Sequence, residues 1–264
     1  MQLKKWKRTE YKKNTIFEVI FQARFPSILK LTKEIPASFQ EKIRKKGFPE
    51  TKIKKVAAPL DFPEHLRKEI LGEDEYMFFS EDGNWQITLT KDFIALKCTE
   101  YKNYKGFEKH LKTMLETFWE EYEPNYFSRI GLRYRNLANE STLGIKEDIR
   151  NFIPTHIAPE LETNSSIRDE VQVIEKTLQL KDDSSTVNVR YVYGDLSGKF
   201  GNFNLNEEKS YIIDTDSFTT EKIRKVNDAI AKSKSFNEGN IRNVFHWSIT
   251  DALRKTMGSI SGKN

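Results

Sequence analysis

Three arginines crowd one short stretch, Arg129-Ile-Gly-Leu-Arg-Tyr-Arg-Asn136, and two aspartates stand two residues apart in Ile213-Asp-Thr-Asp216. In a β-strand successive side chains point to opposite faces. Ile130, Leu132 and Tyr134 then share an apolar face, which leaves Arg129, Gly131, Arg133 and Arg135 opposite. In Tyr211–Asp216, Ile213 and Thr215 alternate with Ile212, Asp214 and Asp216. The first periodic stretch, Ile16–Phe25, sets Phe17, Val19, Phe21, Ala23 and Phe25 against Glu18, Ile20, Gln22 and Arg24; Val187–Tyr193 adds Asn188 and Arg190. Glu18, Arg24, Arg133, Arg135, Arg190, Asp214 and Asp216 are the candidate binding residues, on the polar face of one sheet.

Three chemistries suit such a set. Opposite charges on neighbouring strands can pair on a solvated sheet face. The planar guanidiniums of Arg133, Arg135 and Arg190 can take a phosphate, a carboxylate or a partner's acidic side chain. The carboxylates of Asp214 and Asp216 can hold a divalent metal by their hard oxygens, although Asp-X-Asp is common by chance. No residue is assigned as catalytic, and no metal centre or cofactor is assigned.

The other reactive residues are scattered. His65, His110, His156 and His246 have no metal-ligand spacing among them, and His110 and His246 fall in stretches rich in helical core residues. The chain has no Gly-X-Ser-X-Gly elbow, P-loop, His-Glu-X-X-His or Cys-X-X-Cys, which argues against a familiar hydrolase or NTPase. One cysteine, Cys98, excludes an internal disulfide and a Cys-based zinc site; in the apolar run Phe93–Cys98 it reads as a buried small hydrophobe. With no run of about 18 apolar residues, the expectation is a cytoplasmic, reducing setting and no membrane span.

Basic residues gather near the start. Lys4, Lys5, Lys7 and Arg8 surround Trp6, and Lys12 and Lys13 follow; Lys42, Arg44, Lys45, Lys46, Lys52, Lys54 and Lys55 form a second group. Lysines that meet phosphate, with Trp6 and Tyr11 exposed to stack on bases, would make a nucleic-acid contact. A net charge of +5, from 44 basic against 39 acidic residues, does not demand one.

These residues need elements to position them. The 264 residues are enough for a substantial core, and aromatics at 12% argue against disorder. After the strand Ile16–Phe25, a helix is expected over Pro36–Lys46 and a short one over Glu64–Leu71. Strands follow at Tyr76–Ser80, Asn84–Thr90 and Phe93–Thr99, the first two joined by an Asp82-Gly83 turn. Phe107, Leu111, Met114, Leu115, Phe118, Trp119 and Tyr122 recur at helical spacing, and Pro124 closes that helix. The order then repeats: a strand Arg129–Asn136, a short helix Ile145–Phe152, a loop over 154–166, and strands Arg168–Leu180, Val187–Tyr193 and Tyr211–Asp216. Asp195–Asn206 reads as a loop between the last two. A final helix is capped by Thr219 or Thr220, interrupted at Ser233–Gly239, and resumed through Leu253. The expected fold class is α+β, with two tandem β-α-β-β-β-α halves, 11–126 and 127–257, forming a largely antiparallel sheet with helices packed on one face. The halves make one compact unit, with flexible ends at 1–10 and 258–264.

Phe17-Glu-Val-Ile-Phe-Gln-Ala-Arg-Phe25, Trp85, Tyr101…Phe107, Arg129–Asn136, Ile213–Asp216 and Phe245…Ile249-Thr-Asp251 resemble an uncharacterised, sporadically distributed prokaryotic family with Glu-Val-x-Phe-Glu-x-Arg-Phe and Leu-Arg-Tyr-x-Asn strand motifs. The likeness runs from about residue 11 to 257. Gln22 stands where that family usually carries Glu, and Arg135 where a hydrophobic residue is usual, so a fixed carboxylate cluster is not required. The resemblance implies no catalytic residue or cofactor. Its patchy distribution implies mobile accessory genes, including toxin–antitoxin and phage-defence cargo. The function expected is a non-enzymatic protein-interaction module, the accessory or neutralising partner in such an operon. A nucleic-acid-binding protein using Lys4, Lys5, Trp6, Lys7 and Arg8 is the first alternative. A metal- or phosphate-dependent enzyme on the polar sheet face is the second. The expected partner is another protein.

Overall fold

In the computed structural model, which describes residues 3–54, 74–144, 146–182 and 184–260, the chain is an α+β protein built on a nine-stranded antiparallel sheet. The strands are β2 (Ile16–Arg24), β3 (Glu50–Lys54), β4 (Glu75–Phe79), β5 (Trp85–Leu89), β6 (Phe93–Cys98), β7 (Arg129–Asn139), β8 (Ile174–Asp182), β9 (Ser185–Phe200) and β10 (Phe203–Thr219). Their order is β3-β4-β5-β6-β2-β7-β10-β9-β8. Two short strands, β1 (Glu10–Tyr11) and β11 (Ser259–Ile260), pair with each other apart from it. The expected helix Glu64–Leu71, together with His65 and Lys55, lies outside the described residues.

Two strands that are distant in sequence, β2 and β7, pair at the centre. Each is flanked by the last strand of the meander that comes after it: β6 beside β2, and β10 beside β7. The meander after β2 has four strands and the one after β7 has three, because β3 forms in a stretch that sequence alone leaves unassigned. Its residues, Glu-Thr-Lys-Ile-Lys, are all exposed, so no burial pattern marks them.

The helices pack on one face. The longest, Tyr104–Tyr122, presents Phe107, Leu111, Met114, Leu115 and Phe118 to Val19, Phe21, Leu96 and Leu132 of the sheet. Asn103 caps it by accepting from the Gly106 N–H at 2.9 Å. It ends where Glu123 turns left-handed (φ 41°) just before Pro124, a position where a helical backbone is disfavoured. A second core gathers Val187, Val189, Tyr191, Tyr211 and Ile213 under Val244, Ile249 and Leu253. Cys98 is fully buried, as its apolar run implies.

Four expectations change. Arg168–Val173 is not strand, and β8 starts at Ile174. Residues 195–206 are not a loop: β9 and β10 run on as a long hairpin arm whose Phe200 and Phe203 face each other. The last helical region begins at Val226 behind Lys225, while the Thr219 hydroxyl accepts from the Glu221 N–H at 3.2 Å at the end of β10. The expected interruption near Ser233–Gly239 is no break. The helix Val226–Phe236 continues through a π-helical turn, Asn237–Ile241, into Arg242–Trp247.

Candidate functional site

The open face of the central strands carries the charged set that alternation places there. In register, Asp214 of β10 faces Arg135 of β7, which in turn faces Glu18 of β2, while Asp216 faces Arg133. The contacts are diagonal as well as direct. Arg133 grips Asp214 through two parallel hydrogen bonds, with Nε to Oδ1 at 2.7 Å and Nη2 to Oδ2. Nη1 of Arg135 donates to Glu18 Oε1 at 2.8 Å. Arg129 Nη2 donates to Asp216 Oδ2 at 2.8 Å, and its Nη1 reaches Gln22 Oε1 at 3.3 Å. Further out, Arg190 pairs with Glu175 of β8. Of the candidates, Glu18, Arg133, Arg135, Asp214 and Asp216 form one connected ladder with Arg129. Arg190 is separate and Arg24 is exposed at its end.

Gly131 makes room for Arg129. With no side chain at 131, the Arg129 guanidinium lies over that residue; a Cβ there would stand 2.8 Å from its Nη1. The guanidinium also stacks over Phe218, 4.5 Å from the ring centre.

The hairpin arm folds over the other end of the ladder. A bulge between Leu205 and Glu208 bends β10, and Glu208 is held by the Ser141 N–H at 2.7 Å. At the arm's tip Asn202 donates to Asn84 at 3.3 Å. Beneath it a second bulge, between Ile16 and Glu18, takes Phe17 out of the helix-side core. Alternation sets Phe17 beside Val19 and Phe21; it packs instead with Leu137, Leu205 and Ile212 under the arm. The Arg135 guanidinium rests on the Phe17 ring at 4.7 Å, and its Nε is buried without a hydrogen bond, 3.4 Å from Asp214 Oδ2.

These contacts decide what the face can do. The Asp214 side chain is only 8% exposed and bound by arginine, so its oxygens are engaged. Burial pushes the Asp216 carboxyl above its ordinary range, against the pull of Arg129 and Arg133. Among the described residues no group of three or more His, Cys, Asp or Glu stands where it could hold a metal ion. The Arg133 side chain, by contrast, stays 44% exposed and that of Arg190 54% exposed. Arg133 spends Nε and Nη2 on Asp214 and Arg190 spends Nη2 on Glu175, which leaves each guanidinium with further N–H donors.

The basic N-terminal group is placed differently from expectation. Leu3 and Tyr11 pack against the second core. The Trp6 ring stacks on His246 at 4.5 Å, with Lys4 and Arg254 over it at 4.7 and 4.9 Å, so Trp6 is not a free stacking platform. Arg8 pairs with Glu10, while Lys4, Lys5 and Lys7 stay exposed.

On the helix side of the sheet lies a cavity that no sequence motif marks. It has a volume of about 780 Å³ and is lined by Tyr101, Tyr104, Tyr134, Asn136, Asn237 and Arg242 among others. Its parts come from the N-terminal segment, the start of the long helix, β7 and the π turn. The interrupted helical pattern at Ser233–Gly239 is the one sequence signal nearby. Among the described residues no helix is long and apolar enough to cross a membrane. No protein-family model matches the chain, and no curated protein matches it.

Proposed function

We propose that the protein is a non-enzymatic interaction module that binds an acidic segment of another protein on the open face of its sheet. One observation carries this reading: the carboxylates of the face are already bound by arginine, while the guanidiniums of Arg133 and Arg190 stay about half exposed beyond those pairs. Glu18, Asp214 and Asp216 are each taken by an arginine of the same face. Arg24, Arg133 and Arg190 still offer exposed guanidiniums. Arginines held by internal carboxylates lose little freedom on binding, and their forks suit a partner's carboxylates. Such complementarity favours fast, selective encounter.

The setting comes from the resemblance: an accessory or neutralising partner in a mobile accessory, toxin–antitoxin or phage-defence operon, acting in the reducing cytoplasm. The test is co-expression with the product of the neighbouring gene. A stoichiometric complex that dissociates as salt rises is the expected result. A chain that stays alone while turning over a substrate would contradict the reading.

A further inference from the structure

The tyrosine-lined cavity lies behind the sheet, on the face opposite the charged ladder. Tyr134 and Asn136 of β7 point into it, whereas Arg133 and Arg135 point away. Three features give it the character of a ligand site.

First, its floor holds polar groups with capacity to spare. The Asn136 side chain is almost fully buried, at 5% exposure. Thr15 Oγ1 donates to its Oδ1 at 3.0 Å, and its Nδ2 has no protein acceptor among the described residues. Tyr134, equally enclosed, has its hydroxyl 2.8 Å from the Tyr101 hydroxyl and donates to Asn237 Oδ1 at 3.0 Å. An amide donor left over on a cavity floor is a place for a ligand acceptor.

Second, the π turn aims Asn237 at Tyr134. One extra residue per turn rotates the rest of the helix about its axis, and such turns recur at functional sites. Here Asn237, Glu238 and Ile241 of that turn all line the cavity.

Third, the lining carries both signs of charge. Arg8, Arg242, Glu108 and Glu238 all line the cavity, around Tyr101 and Tyr104. Arg242 is half-buried and makes no ion pair or hydrogen bond among the described residues, unlike Arg8, which is held by Glu10. Lys105 and Lys234 add exposed cations at the rim. The lining thus offers guanidiniums for an anion, carboxylates suited to an amino group, aromatic walls and a spare amide donor. Its volume lies within the range of small-molecule sites.

We propose that this cavity binds a nucleoside monophosphate bearing an exocyclic amine, with the phosphate against Arg242 and Arg8 and the base reaching Asn136 and the carboxylates of Glu108 and Glu238. The site is independent of the charged ladder, so either can fail without the other.

The test is calorimetric titration of the full chain with adenosine 5′-monophosphate, adenosine and inorganic phosphate. The expected result is saturable, one-to-one binding of the monophosphate, with adenosine and phosphate each at least about tenfold weaker, since each lacks one set of charge-assisted contacts. Arg242→Gln should weaken the monophosphate about tenfold or more at unchanged melting temperature. Arg190→Gln, on the far side of the sheet, should leave it unaffected. Lys234→Gln, at the exposed rim, gives a second reading should Arg242→Gln lose its fold, and should weaken binding by less. No saturable binding of the monophosphate would overturn the proposal. So would binding that is indifferent to both Arg242→Gln and Lys234→Gln, or equal binding of all three probes.

Discussion

Arg129 reaches Asp216 only because residue 131 is glycine: its guanidinium occupies the space a Cβ at 131 would take, 2.8 Å from Nη1. The carboxylate it holds at 2.8 Å belongs to the residue that stands opposite Arg133 in register, so the guanidinium must lie along β7 to meet it. Gly131→Ala therefore displaces the end of a flexible side chain and leaves the backbone alone. The expected net cost is about 1 kcal/mol, the lost pair outweighing the gain of replacing a strand glycine. Urea denaturation checks it, and the cost should vanish when Asp216→Asn is already present.

Arg133 and Asp214 should show strong coupling. Arg133→Ala leaves a buried carboxylate with only Arg135 to balance it, for an expected loss of about 3 kcal/mol. Asp214→Ala frees two guanidiniums and should cost a similar amount. In a double-mutant cycle the pair should lose about 2 kcal/mol less than the sum of the singles, because the second removal no longer strands a charge.

Period-two alternation was enough to place this ladder. It put Arg133, Arg135, Asp214 and Asp216 on one face, and the long helix was equally plain from Phe107 to Tyr122. Three features resisted it. Phe17 left the core face because a bulge breaks alternation at one residue. The arm of β9 and β10 read as loop because Ser197, Gly198, Asn204 and Asn206 look like turn residues, while Leu196, Phe200, Phe203 and Leu205 pack only after the strand bends. The cavity joins segments far apart in the chain, and a π turn has no periodic signature of its own.

Gly201 pins the arm to β2. Its φ is +56°, and a Cβ there would stand 2.3 Å from the Phe17 carbonyl oxygen, a backbone atom that cannot swing aside. Gly201→Ala should lift the tip of the arm at a cost of about 2 kcal/mol. Hydrogen exchange should show faster opening of the amides near residues 200–203, with the helix Tyr104–Tyr122 unchanged.

Stability should fall in mild acid because of His246. Burial, with the charges of Arg254 and Arg242, holds its imidazole down at about 4. Between an ordinary value near 6.5 and that of the folded state, the unfolded chain takes up a proton that the folded chain refuses. Stability is then full above about pH 6.5 and declines toward pH 4, by up to about 3 kcal/mol. Denaturation midpoints of His246→Gln should be flatter with pH across this window than those of the parent chain.

The most direct measurement is the dissociation constant of the complex with the neighbouring gene's product, for the parent chain and for Arg24→Glu with Arg190→Glu, at several salt concentrations. Both side chains are exposed, so the variant should stay folded, with a small drop in melting temperature from the lost Arg190–Glu175 pair. The predicted result is binding weakened about a hundredfold by the two reversals, with a shallower salt dependence. Equal affinity of the variant and the parent chain would contradict it.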